Sequence, residues 1–172
     1  TYDPITDNQQ EAYSAWDDGD HLVLCGSAGT GKSFIALYLS LQDTMDKSYA
    51  QDKVVIVRSV VPTREMGYLP GSIEEKTDTY TAPYRAICQE LFNERGAYDM
   101  LETQGVIEFM STSFIRGTTI DNAVIIVDEM QNLTYHELDS IITRVGRNSR
   151  IIFSGDYYQS DLNKESDKKG IL

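Results

Sequence analysis

Histidine, cysteine, tryptophan and proline are all scarce in this chain, and each shortage excludes something. Its 172 residues include two His, two Cys, one Trp and four Pro. His21 and His136 lack the spacing of a zinc site. Cys25 and Cys88 are far apart, the first at the end of an apolar strand pattern and the second inside a helical one. Both read as buried thiols rather than as a bridge, which suits a reducing cytoplasm. No apolar run approaches the length of a membrane span, and no signal-peptide pattern opens the chain at Thr1. The expected location is therefore cytoplasmic, with no membrane partner. Positive charge is also in short supply, with 15 Lys and Arg against 27 Asp and Glu and a net charge of −12. That deficit excludes indiscriminate binding to nucleic acid, which needs cations set against phosphates. It leaves room for a local groove in which Arg58, Arg64, Lys76, Arg85, Arg144, Arg147 and Arg150 converge.

The remaining composition is that of a globular protein, 41% hydrophobic and 24% charged. The length suits one domain, 1–172, burying roughly 70% of its unfolded surface. Residues 7–18 read as a helix with Asp7 as its cap and Ala12, Ala15 and Trp16 on one stripe. Short apolar runs predict buried strands at Leu22–Cys25, Lys53–Val57, Val106–Met110, Ala123–Val127 and Arg150–Ser154. Helices are expected after Ser33, over Pro83–Arg95 with Tyr84, Ala86, Ile87 and Leu91 inward, and over Tyr135–Val145. The last has Thr134 as its cap and Leu138, Ile141, Ile142 and Val145 on one face. Residues 59–79 read as a long ordered loop and 164–172 as a loose charged tail. Strands alternating with helices predict an α/β fold, a mostly parallel sheet covered on both faces. Ligands bind such sheets at the strand C-terminal edge. Asp128, Asp156 and Ser27 all fall just beyond strand ends.

The segment from Gly26 to Ser33, GSAGTGKS, fits the phosphate-binding pattern G-x-x-x-x-G-K-[ST] between a strand and a helix. Gly26, Gly29 and Gly31 let the backbone turn its N–H groups inward, with Ser27, Ala28 and Thr30 completing the loop. The helix N-terminus adds partial positive charge. Lys32 suits the β/γ-phosphates and the Ser33 hydroxyl suits Mg²⁺, while Phe34 follows as the next nucleotide-contact candidate. Downstream, the apolar strand AVIIV ends in Asp128-Glu129, a second signature of such proteins. Asp128 is expected to share the Mg²⁺ shell with Ser33. Glu129 is expected to orient and polarise the attacking water.

Two further signals are weaker. Gly155-Asp156-x-x-Gln159 after a strand would aim Asp156 and Gln159 at a γ-phosphate, although a tight turn accounts for the same residues. Gln9 carries an amide that can pair with N6 and N7 of adenine, or it is a solvated glutamine on a surface helix. The predicted catalytic set is Lys32, Glu129 and Gln159, and the predicted cofactors are ATP and Mg²⁺.

These stretches together resemble the PhoH family of ATPases, whose core is similar to the first RecA-like domain of superfamily 1 helicases. The resemblance rests on TDNQ at 6–9, GSAGTGKS at 26–33, GYLPGSIEEK at 67–76, FIRGTTIDNAVIIVDEMQN at 114–132 and TRVGRNSRIIFSGDYYQSDL at 143–162. It implies a three-layer α/β/α P-loop NTPase with a RecA-like sheet, in which the last strand lies between the two strands bearing the phosphate and magnesium signatures. Gln9 then matches an adenine-reading glutamine, and Arg116 matches an arginine typical of the family. Met130 and Ser72 replace the alanine and aspartate usual there, and RSVVPTRE at 58–65 is a looser match. The chain stops at Leu172, where relatives continue with a further strand. Acidity and small size resemble a bacteriophage version.

Helicases complete the ATP site with a second domain, and none is legible here. An arginine from a neighbour is worth about 10³–10⁵ in rate in related phosphoryl transfers. A homo-oligomer is therefore expected, a hexameric ring being one form, with Arg64, Arg144 and Arg147 as candidate donors. The resemblance also implies coupling to RNA or single-stranded DNA, with Tyr68, Tyr80, Tyr84, Tyr157 and Tyr158 as stacking candidates. The competing readings are a thymidine-kinase-type nucleoside kinase and a non-hydrolysing ATP-dependent switch.

Overall fold

Five strands lie parallel in one sheet of order β1-β5-β4-β2-β3, in a computed structural model that describes residues 2–26, 31–60, 73–115 and 117–156. The side chains of 73–77 are outside that description. The strands are β1 (Leu22–Cys25), β2 (Lys53–Arg58), β3 (Ile107–Ser111), β4 (Ala123–Val127) and β5 (Arg150–Gly155). The described helices are α1 (Asp7–Asp17), α2 (Lys32–Thr44), α3 (Ile73–Phe92), α4 (Ala97–Thr103) and α5 (Tyr135–Ile142). β5 lies between β1 and β4, as the RecA-like resemblance requires.

Strand alternation divides the core into two layers. Val54, Ile56, Val124, Ile126 and Ile152 face one way, against Trp16, Leu37, Tyr84, Tyr98 and Leu101 from α1 to α4. Val55, Val57, Ile125, Val127 and Ile151 face the other way, against Ile115, Ile120, Leu133 and Ile141. The result is the expected three-layer α/β/α arrangement.

Several local expectations change. The cap of α1 is Thr6, not Asp7: its hydroxyl accepts from Gln9 N at 3.2 Å. β1 is an edge strand, so only Leu22 and Leu24 face the packed layer, and Val23 and Cys25 are exposed. Cys25 is therefore not a buried thiol, whereas Cys88 is, and burial pushes Cys88 up to about 11. The expected 59–79 loop is helical from Ile73, and α3 runs through Pro83. Residues 73–82 contain no glycine or proline. Tyr84 and Cys88 packed on the sheet outweigh the hydrogen bond that Pro83 removes. Ala86 and Ile142 are exposed rather than inward. The short α4 has no counterpart in the sequence reading. Residues 61–72 and 157–172 lie outside the described residues, so the LPG stretch and the tail are not observed.

α5 begins at Thr134 as expected, with a reciprocal capping box. Thr134 Oγ1 accepts from Glu137 N at 3.2 Å, and Glu137 Oε1 accepts from Thr134 N at 3.1 Å. The Glu137 carboxylate also accepts from the Thr112 hydroxyl, tying α5 to the end of β3.

At the opposite, N-terminal edge, Arg150 is a strut. Its guanidinium lies 3.2 Å from the Trp16 ring centroid. It donates to Asp43 Oδ2 at 3.0 Å and to the carbonyls of Trp16 and Asp20 at 2.7 Å each. Burial raises the Asp43 carboxyl above its usual range despite the pull of Arg150, and burial likewise lowers Arg150. Desolvation therefore opposes the ion pair, and removing one partner strands the other.

Arg150→Met will cost about 3–5 kcal/mol in urea unfolding at neutral pH. A carboxyl raised in the folded state favours folding when protonated, so its contribution is present at low pH and lost as pH rises through the folded value. Without Arg150 the Asp43 carboxyl rises further, and the deficit relative to wild type will shrink as pH falls. An unchanged neutral-pH midpoint would remove Arg150 from this role.

Candidate functional site

Parallel strands put their C-terminal ends, Cys25, Gly155, Val127, Arg58 and Ser111, along one edge. The chain leaves β1 at Gly26 and re-enters described structure at Gly31, the N-cap of α2. Gly31 has φ 77°, a left-handed conformation that suits glycine. As a glycine, the N-cap adds no side-chain bond to the first turn of α2, whose N–H groups and positive dipole end lie at the site edge. Ser27, Ala28, Gly29 and Thr30 lie outside the described residues. Lys32 opens α2 and its Nζ donates to Gly26 O at 3.0 Å, drawing the two ends of the loop together.

Next to Lys32, the Ser33 hydroxyl donates to Asp128 Oδ2 at 2.9 Å. This bond joins the start of α2 to the end of β4 across the intervening β5. Asp128 is only 3% exposed. Its N–H extends the ladder to Val57 O at 3.0 Å, which holds the residue at the sheet edge. A second hydroxyl, Tyr84 Oη on α3, donates to the same Oδ2 at 2.6 Å. Asp128 Oδ1 accepts from Glu129 N at 3.0 Å. Burial first, and then the Asp128 charge, pushes the Tyr84 hydroxyl well above its ordinary value, so it stays a donor. A hydroxyl beside a carboxylate is the hard oxygen pair that Mg²⁺ takes from a protein, its other ligands being phosphate oxygens and water. The donor set therefore fits the metal.

Beyond Asp128 the chain turns sharply. Glu129 has φ 51°, left-handed for a non-glycine residue, and precedes the 3₁₀ turn Met130–Asn132. Such a conformation costs on the order of 1 kcal/mol or more and needs support from its surroundings. Gln131 supplies that support. Its Nε2 donates to Glu129 Oε2 at 2.6 Å, and its Oε1 accepts from Asp156 N at 2.9 Å. The two partners dictate which end of the amide is which. Gly155 makes room for it: a Cβ there would lie 2.7 Å from Gln131 Oε1 and 2.6 Å from Met130 Cγ. Asp156 is buried at the end of β5, beside this turn.

Lys32, Ser33, Asp128 and Glu129 thus share the edge, with Asp156 linked through Gln131. Gln159 lies outside the described residues. Gln9 is on α1, where its Oε1 accepts from Ile5 N at 2.7 Å and so serves the start of its own helix. Phe34 is in the first turn of α2, and the Tyr2 ring meets it edge-on at 5.3 Å between centroids. The described arginines do not converge. Arg58 ends β2 at the site edge. Arg85 is paired with Asp78 and Asp99. Arg144, Arg147 and Arg150 precede or open β5, at the opposite edge, so Arg144 and Arg147 are remote from their own chain's site. Arg64 and Arg116 lie outside the described residues, as do Tyr68, Tyr157 and Tyr158. Tyr84 is 1% exposed and cannot stack a base.

Sequence reasoning passed over the roles of Tyr84 and Gln131. A buried tyrosine needs a partner for its hydroxyl, which was the available clue for Tyr84. For Gln131 the clue was its place two residues after Glu129, within the strand-end turn.

The family model described as PhoH-like protein matches residues 1–172. Protein PhoH2 of Bacillus subtilis (strain 168) is 40% identical over 144 residues, covering 81% of this chain and 32% of that protein. A PhoH-like protein of Synechocystis sp. is 34% identical over 158 residues, covering 91% of this chain and 47% of that protein. The chain thus spans about a third to a half of the length of these curated relatives. Among solved structures, the Sulfolobus solfataricus SWI2/SNF2 ATPase core in complex with dsDNA is similar over 99% of this chain and 35% of that one. The TM-score is 0.51 at 15% identity, a likeness of fold.

Gln131→Leu will leave the Asp156 N–H without its acceptor and Glu129 without its donor. The expected loss is about 1–3 kcal/mol in chemical denaturation. An unfolding free energy equal to wild type would mean that water replaces the amide.

Proposed function

This chain belongs to the PhoH-like protein family and has the fold of a P-loop NTPase, and on that premise we propose that it hydrolyses ATP with Mg²⁺. One observation carries the reading: the Ser33–Asp128 hydrogen bond, which joins the phosphate-binding segment to the acidic strand end beside Glu129. The reading treats 1–172 as one RecA-like domain.

In this reading the first-turn N–H groups of α2 and the masking charge of Lys32 receive the β- and γ-phosphates. Lys32 exchanges its contact with the Gly26 carbonyl for phosphate oxygen. Ser33 and Asp128 hold the metal, which when bound stabilises negative charge growing on the β–γ bridge. Glu129, steadied by Gln131, orients water in line with the γ-phosphorus and takes up its proton. Asp156 and Gln159 flank the γ-phosphate, and the Gln131 link gives β5 a path to Glu129. Gln9 and Phe34 are assigned to the base end of the nucleotide.

A neighbouring copy completes the site with an arginine in this reading, making the active form a homo-oligomer. Arg144 and Arg147 start from the opposite sheet edge, so they serve only if a neighbour turns that edge toward the site. Coupling to RNA or single-stranded DNA is carried over from the family resemblance alone. The net charge of −12 argues for a local contact rather than a broad basic face. Family membership also favours ATP hydrolysis over nucleoside phosphorylation, and Glu129 favours it over a non-hydrolysing switch.

Phosphate release is the direct test, measured with and without Mg²⁺, RNA and single-stranded DNA, over a range of protein concentrations. Wild type will turn over ATP only with Mg²⁺, and its specific activity will rise with assembly. Glu129→Gln will bind ATP normally while hydrolysis falls by about 10²–10⁴. Equal turnover in that variant sinks the assigned role of Glu129. Stimulation by nucleic acid that fades with salt supports the coupling, and no response to either polymer rejects it.

A further inference from the structure

The Asp128 carboxylate is held by hydroxyls from two different helices, and only one of them belongs to the phosphate-binding segment. Ser33 Oγ and Tyr84 Oη both donate to Oδ2, at 2.9 Å and 2.6 Å, and Glu129 N donates to Oδ1 at 3.0 Å. A carboxylate oxygen offers about two acceptor sites. Oδ2 is therefore filled, and among the described residues the open site is on Oδ1. The terminal torsion of aspartate is soft, so its carboxylate orientation is set by its donors. Tyr84 is suited to this task. It is 1% exposed, its ring packs near Phe109 with centroids 6.4 Å apart, and its hydroxyl is the shorter of the two contacts on Oδ2.

The helix that carries Tyr84 is itself tied down nearby. Tyr80 lies one turn earlier. The Arg58 guanidinium sits over the Tyr80 ring, 5.6 Å from its centroid, and donates to the Tyr80 carbonyl at 3.5 Å. Arg58 ends β2, the neighbour of β4. α3 is thus attached to the sheet edge at two points, and one of them is the carboxylate assigned to the metal.

We propose that Tyr84 is a positioning residue for magnesium: its hydroxyl orients Asp128 so that Ser33 and the metal's shell meet the carboxylate in one arrangement. The inference rests on the reading of Ser33 and Asp128 as the metal-holding pair. It assigns α3 a role in the nucleotide site, although no residue of α3 belongs to the phosphate-binding or acidic motifs.

The test is binding of a non-hydrolysable β,γ-imido ATP analogue, followed by thermal shift across a Mg²⁺ titration and again in EDTA. Tyr84→Phe keeps the ring and removes only the hydroxyl. It will raise the half-saturating Mg²⁺ concentration by about 10-fold or more, while binding in EDTA stays at the wild-type level. Tyr84→Leu also removes the ring. It will lower the urea midpoint further than Tyr84→Phe but move the Mg²⁺ midpoint no further. A wild-type Mg²⁺ midpoint in Tyr84→Phe overturns the proposal, as does a midpoint that follows stability across the two variants. Mg²⁺-independent binding by the wild type overturns the metal reading of Ser33 and Asp128 as well, a failure distinct from a silent Tyr84.

Discussion

A buried carboxylate must be supplied with donors, and Asp128 meets that demand by drawing three parts of the fold together. With 3% exposure it has almost no water to lean on, so its oxygens are served by Ser33 at the start of α2, Tyr84 on α3 and the backbone of Glu129. Each donor comes from a different connection at the C-terminal edge of the sheet. The cost of leaving such a group unpaired ties these three described segments to one another.

The strain next to Asp128 has the same logic. Glu129 adopts a left-handed backbone, and the chain immediately folds into a 3₁₀ turn that returns Gln131 to it. The same amide grips the backbone of Asp156 at the end of β5. Gly155 is required there because a side chain would occupy the space of Gln131. Two strand ends are thereby coupled through one side chain, so the end of β5 and the carboxylate of Glu129 cannot shift independently.

The two edges of the sheet divide the labour. The C-terminal edge collects acidic and hydroxylic groups around the start of α2. The N-terminal edge holds Arg150 between Trp16 and Asp43, where desolvation works against both charges and the carbonyls of Trp16 and Asp20 both accept from the Nη2 end of the guanidinium. Arg144 and Arg147 belong to that second edge. Composition left open a local groove in which they converge with Arg58, because it counts charges without saying where a chain's turns place them.

The strand set, the α/β class with its mostly parallel sheet and the pairing of the α2 start with an acid-tipped strand were legible in the amino acids. Apolar runs, glycine spacing and strand-end acids are local signals, imposed by burial and by backbone sterics. The Thr134 cap was legible for the same reason. The half of α3 from Pro83 to Phe92 was legible too, but its start at Ile73 was not, because Pro83 argues locally for a helix start and only packing of Tyr84 and Cys88 against the sheet outweighs it. Nor was the exposure of Cys25, which follows from β1 lying at an edge with one face uncovered. The hydroxyl of Tyr84 and the amide of Gln131 find their partners 44 residues and 25 residues away in the chain. No periodicity encodes those meetings. They arise when strand order brings separate chain segments to one edge and buried polar groups there must satisfy one another.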